Sequence, residues 1–184
     1  MPTYKDLVRQ LGYGVIGSGF SILQNGYSDL KPAIFDVGKI KNTFVQYGFP
    51  NVPTGEADYE YAFLTPEVLE PILWDVMTLL HKTKYKLNMT DCDDFAYTLT
   101  ALMSMLFGIN TCGTILGRAD NKNTGAPIGG HYFNFPITYK NGLFEMWCCD
   151  ALNPLTITKI EKGKPIIIGD WRYVVTDTSS ARYF

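Results

Sequence analysis

From Thr65 onward the apolar residues of this chain fall at helical spacing. Val68, Leu69, Ile72, Leu73, Val76, Met77, Leu79 and Leu80 mark one broad face, the three- and four-residue step of an amphipathic helix. Thr65 is a suitable N-cap and Pro66 suits the first helical position. Pro71, set deeper, predicts a kink or a restart. A second helix is predicted from Cys92 to Phe107. There Phe95, Leu99, Leu102, Met103 and Leu106 repeat at the same step, and Gly108 stops the run.

After Gly108 the period shortens to two. Thr111 to Gly117 and His131 to Tyr139 read as strands, joined by a polar, glycine-rich loop from Arg118 to Gly130. Asn141-Gly142 is a strong two-residue hairpin turn leading into Leu143 to Asp150. Ile157 to Ile160, Pro165 to Ile168 and Trp171 to Thr176 are further strand candidates. The first 60 residues lack a clear period: a short helix candidate from Thr3 to Leu11 precedes a Gly- and Pro-punctuated stretch to Gly55. The reading is one domain over residues 1–184, an irregular arm over 1–60 and a core over 61–184. Helices followed by an antiparallel sheet give an α+β order.

Composition narrows the function classes. Net charge is −2, with the basic residues scattered, which gives no footprint for nucleic acid or an anionic membrane. No apolar run approaches the roughly 20 residues of a spanning helix. Met1-Pro2-Thr3-Tyr4-Lys5-Asp6 lacks the pattern of a secretory signal, so the expectation is a cytoplasmic or virion-associated protein. Cys92, Cys112, Cys148 and Cys149 are spaced neither as a disulfide framework nor as zinc pairs, and are read as reduced thiols.

Cys92 is the candidate nucleophile. At the start of the second helix, with Thr90 or Asp91 as N-cap, its thiol meets unpaired backbone N–H groups and the positive end of the helix dipole. The chain has two histidines, so the base has few candidates. His81 falls near a helix end beside Lys82 and Lys84, the place of a C-terminal cap. His131 opens a strand straight after Gly129-Gly130, where a side chain can project into a cleft. Thiol at a helix start and imidazole on a strand is the arrangement nucleophilic chemistry needs.

A third group must orient the imidazole. With a two-residue turn at Asn141-Gly142, Glu145 opposes Thr138, seven residues from His131, or about 23 Å along the strand and on the opposite face. Asp150 opposes Phe133 and shares the face of His131, about 7–8 Å away diagonally. Asp150 is therefore the expected partner, with Asn153 as fallback. Asp91, Asp93 and Asp94 surround Cys92. They serve either as dipole-matched caps or as the oxygens of a cation site, which needs more ligands than two.

The block Asp91-Cys92-Asp93-Asp94-Phe95-Ala96, with Gly130-His131-Tyr132-Phe133-Asn134 after it, resembles the papain/transglutaminase-like cysteine protease domain of the fungal chimeric agglutinins, such as that of Marasmius oreades, and related bacterial and phage domains. The likeness runs from about Asp58 to Asp150. It implies a nucleophile helix packed on an antiparallel sheet, with Cys92 as nucleophile and His131 as base. It also implies calcium near Asp93 and Asp94. The family's Glu-Pro-Gln run falls at Asp150-Ala151-Leu152, which keeps an acid and lacks the Gln. The expected function is a cysteine-dependent hydrolase of peptide or amide bonds with a Cys92–His131–Asp150 triad, assisted by calcium. Two alternatives stand beside it: a catalytically inactive structural, virion or binding module on the same scaffold, and a transglutaminase-like acyl transferase.

Overall fold

The computed structural model describes residues 26–27, 29–49, 53, 55–56, 58–81, 91–152, 157–175 and 178–183. Residues 31–184 form one compact unit. The helix candidate at Thr3 to Leu11, the cap candidate Thr90 and the fallback Asn153 lie outside the described residues.

Within the stretch read as irregular, Ala33–Asp36 (β1) and Gly38–Gln46 (α1) are regular. Strand β1 pairs antiparallel with β3 (Glu60–Phe63) as a separate two-stranded ribbon; β2 is the short Gly55–Glu56. The two long helices form where their periodicity places them, at Pro66–His81 (α2) and Cys92–Phe107 (α3). Helix α2 buries Leu69, Ile72, Leu73, Val76, Met77 and Leu80, and contains Pro71 without ending there. Helix α3 stops at Gly108, whose φ of 66° is the left-handed conformation glycine adopts freely.

The rest is sheet. Strands β4 (Cys112–Asn121), β5 (Pro127–Lys140), β6 (Leu143–Cys149) and β7 (Ile157–Lys159) form an antiparallel meander. Strand β8 (Ile166–Ile168) pairs with β9 (Trp171–Val174), and β9 returns to β4 at Arg118–Asn121. Strand β10 (Arg182–Tyr183) also joins β4 and carries β2 on its far side. The ring β4–β5–β6–β7 and β8–β9–β4 is nearly closed. Its open seam, between β7 and β8, is bridged by the Thr158 hydroxyl donating to the Ile167 carbonyl at 3.2 Å.

This architecture corrects the expected α+β, papain/transglutaminase-like class. Among the described residues strands outnumber helices and build one eight-stranded, barrel-like sheet. The reason is long-range: β9 folds back on β4, so the sheet curls on itself where an open layer was expected. The expected loop from Arg118 to Gly130 is also mostly strand. Strand β4 runs on to Asn121, whose side chain caps the turn by accepting the N–H groups of Asn123 and Thr124 at 3.0 Å.

Alternation decides what each face of β5 meets. Phe133, Phe135 and Ile137 point into the barrel with Ile115, Met146, Cys148 and Tyr173. Asn134, on the other face, meets helix α3. Turn residues Asn141 and Gly142 both have positive φ, 52° and 85°, the primed turn that fits the strand twist. Register follows from it: Thr138 opposes Glu145 and Asn134 opposes Cys149.

At Gly113 on β4 the Tyr183 ring lies flat against the backbone: a Cβ would stand 2.3–2.5 Å from its ring carbons. That ring is fully buried and its hydroxyl donates to the Phe135 carbonyl at 2.8 Å, so it has no room to yield. Gly113→Ala is expected to cost roughly 3 kcal/mol or more by overpacking, whereas Gly130→Ala, where a Cβ meets nothing within 4 Å, should stay within about 0.5 kcal/mol of the parent. Urea unfolding midpoints of the two variants check this.

Candidate functional site

The site lies where β5 outruns β6. Strand β6 ends at Cys149, opposite Asn134, and His131 is three residues further along β5 on the barrel-facing side. Asp150 follows β6 directly. The Nε2 of His131 and Oδ2 of Asp150 are 2.7 Å apart, with both side chains buried. The Cys92 thiol, in the first turn of α3, stands near enough to the ring to act on its charge. Cys92, His131 and Asp150 are thus brought together. Glu145 is elsewhere, paired with Lys159 at 2.5 Å, and His81 is exposed at the end of α2.

Asp150 is almost fully buried, and such a carboxylate is tolerable only when its oxygens are satisfied. Three donors do this. Besides His131, the Tyr173 hydroxyl donates to Oδ2 at 2.6 Å and the Leu152 N–H to Oδ1 at 2.9 Å. Burial opposes charge on His131, but hydrogen bonds with Asp150 and Cys92 outweigh it and raise its pKa to about 9. The Tyr173 contact was not read from the sequence. A tyrosine in a four-residue strand, 23 positions from Asp150, looks like any core aromatic, and parity within β9 carries no pointer to Asp150.

Asp91 and Asp94 form a reciprocal capping box: the Asp91 side chain accepts the Asp94 N–H, and the Asp91 N–H donates to Asp94 Oδ2 at 3.2 Å. Asp94 is therefore committed to the helix. Asp93 turns to Asp91 instead, and the hydrogen bond that its protonated carboxyl donates to Asp91, burial and the negative charge of Asp91 raise the Asp93 pKa to about 6. Asp91, Cys92 and Asp93 offer atoms within 4.8 Å of one another. Two crowded carboxyl groups suit a hard cation, and the cluster contains Asp93 of the expected pair Asp93 and Asp94 together with Asp91.

Aromatic rings flank the thiol and imidazole. Tyr97 on α3 and Tyr132 on β5 lie 5.6 Å apart between ring centres, both partly exposed. The Tyr132 phenol is pushed up by burial, by Tyr97 and by the nearby Asp93 and Cys92. On the barrel side, half-buried Trp171 meets the His131 ring edge-on at 5.3 Å.

No protein-family model matches the chain, and no curated protein matches it. Among solved structures it is similar to Polyporus squamosus lectin bound to the human-type influenza-binding epitope Neu5Acα2-6Galβ1-4GlcNAc, with TM-score 0.52 and 16% identity, over 68% of this chain and 45% of that one. It is also similar to a PSL1a–E64 complex, with TM-score 0.47 and 16% identity, over 82% of this chain and 49% of that one. The chain spans about half the length of each neighbour.

These findings correct the resemblance to the cysteine protease domain of the fungal chimeric agglutinins. The neighbour that carries the fold likeness is named as a lectin, and no family model supports the protease assignment. The expected cysteine hydrolase function and the peptide or amide substrate are corrected with it, since the fold likeness is to a chain named as a lectin. There is a physical reason why the quoted block misleads. Asp91 and Asp94 make a capping box, Phe95 and Ala96 are core, and Asn134 is a buried anchor for α3; helix architecture alone accounts for these residues. As to membranes, no helix among the described residues is long and apolar enough to cross one.

The raised pKa of His131 has a stability consequence. Its charge stabilises the fold fully below about pH 6.5, and the contribution is lost as pH rises through about 9. The loss is expected to be on the order of 2–3 kcal/mol and absent in Asp150→Asn. Urea midpoints from pH 6 to pH 10 (roughly the window set by the two values) test the size, and an NMR titration of the His131 ring tests the assignment.

Proposed function

We propose that this chain is a binding module whose ligand is a neutral saccharide, received at the rim of the Cys92–His131 cleft. The observation that carries this reading is the pairing of partly exposed aromatic planes with carboxyl groups: Tyr97 and Tyr132 beside Asp91 and Asp93. A sugar ring presents an apolar C–H face for stacking and hydroxyl groups for charge-assisted hydrogen bonds. The fold likeness to a chain named as a lectin supports the class.

Charge selects among saccharides. Among the described residues of this group His131 is the cation, and Asp150 already balances it. Asp91 and Asp93 leave the rim acidic, so an anionic sugar meets repulsion where a neutral one does not. Calcium is the further proposal for the same rim: Asp91 and Asp93 would hold the ion, which would relieve their crowding and offer coordination to sugar hydroxyls.

A second reading is favoured by one specific observation, the thiol–imidazole–carboxylate contact itself. In it, Cys92 is a nucleophile, His131 its base and Asp150 the orienting acid, acting on an electrophile that enters the cleft. The other thiols are poor competitors. Cys112, Cys148 and Cys149 are fully buried, with Cys149 pushed well up by its contact with Cys112 and by burial, and Cys148 by burial.

Two expected outcomes separate the readings. In calorimetric titrations, neutral galactosides should bind at least tenfold more tightly than their sialylated forms, Tyr97→Ala and Tyr132→Ala should each weaken binding about tenfold, and calcium should tighten it. Absence of saccharide binding at millimolar concentration, roughly the floor of specific recognition, would sink the module reading. Independently, iodoacetamide near neutral pH should label Cys92 far faster than the three other cysteines, with at least a tenfold loss of rate in His131→Ala. Uniform labelling would end the nucleophile reading.

A further inference from the structure

The group least explained so far is Tyr173. Its ring is 3% exposed and wedged among Phe133, His131 and Trp171, at 5.0, 5.8 and 6.3 Å between centres. Packing alone would be served by phenylalanine. The hydroxyl, however, meets Oδ2 of Asp150 at 2.6 Å, the same oxygen that bonds His131 at 2.7 Å. Two donors on one carboxylate oxygen share its charge.

We propose that Tyr173 is a positioning residue for the thiol–imidazole pair, holding Asp150 in the rotamer that meets His131 and withdrawing part of the carboxylate charge from the imidazole. The proposal rests on the pairing of Cys92 with His131 described above. It adds a residue on β9 that neither the helix nor the β5–β6 hairpin supplies, so the edge of the barrel that closes the ring also tunes the site.

The geometry restricts what Tyr173 can do. Its phenol touches Asp150 rather than the thiol, so it acts through Asp150. Among the described residues, the titratable groups facing the His131 ring are Cys92 from α3, Asp150 from the end of β6 and Tyr173 from β9; Trp171, Phe133 and the glycines before it add none. Loss of the phenol donor leaves more negative charge on Oδ2, which favours imidazolium. A purely structural tyrosine would lower stability and leave the imidazole titration where it was.

The test is an NMR titration of the His131 ring in the full chain, parent against Tyr173→Phe. The expected result is a rise of the His131 midpoint by about one pH unit. An unchanged or lowered His131 midpoint in a folded Tyr173→Phe chain overturns the proposal. Should that variant fail to fold, 3-fluorotyrosine at position 173 keeps the ring and strengthens the donor, so the midpoint should fall; no fall overturns the proposal equally. The ring titration is read without any thiol reaction. Slow alkylation of Cys92 in the parent chain would count against the nucleophile reading and leave the Tyr173 result to stand or fall by itself.

Discussion

The site depends on one buried amide. Asn134 Nδ2 donates to the carbonyl of Ala96 at 2.9 Å, beneath a Thr100–Thr114 hydroxyl pair at 2.7 Å, all within the interface between α3 and the barrel. The Ala96 carbonyl also accepts from the Thr114 hydroxyl at 3.2 Å. An apolar interface would let a helix slide or rotate with little change in buried area, because hydrophobic contact has no direction. Hydrogen bonds from two strands to one helical turn remove that freedom. Cys92 is one turn before Ala96, and His131 is three residues before Asn134 on the same strand. Fixing Ala96 against Asn134 therefore fixes the thiol against the imidazole.

What the anchor makes possible is a meeting of two environments. The barrel interior supplies His131, Asp150 and Tyr173, all nearly dry. The helix start supplies a half-buried thiol, two crowded carboxyl groups and partly exposed tyrosines. A carboxylate in the first environment holds its partners strongly, since little water competes. Groups in the second remain within reach of solvent and ligand. Strand β5 belongs to both, because alternate residues face opposite sides: His131 and Phe133 inward, Tyr132 and Asn134 toward the helix.

Much of this was legible in the chain because the information is local. Helical spacing plus Pro66, Asp91 and Gly108 set the two long helices, and the Asn141-Gly142 turn set the register that brings Asp150, rather than Glu145, to His131. Closure of the barrel was not legible. Strands β7, β8 and β9 have three or four residues each, too few for alternation to say which partner they choose, and the β9–β4 pairing joins segments some 50 positions apart along the chain. Tyr173 was invisible for the same reason. The Asp-Cys-Asp-Asp-Phe-Ala block was legible and overread: capping and core packing demand most of it, so it carries less functional information than its rarity suggests.

The charge balance at the cleft bears on both proposed uses. An imidazolium enclosed by Asp150 and the thiol is internally neutralised, so it contributes little long-range attraction for an anion. Asp91 and Asp93 are less buried and set the sign of the rim, with crowding raising the pKa of Asp93 to about 6. A ligand carrying a carboxylate must approach against them; one presenting hydroxyls or a bound cation need not. The same rim lies beside the thiol, so it borders the second use as well. The carboxyl pair at the helix start is the variable part of a site whose other members are locked by burial.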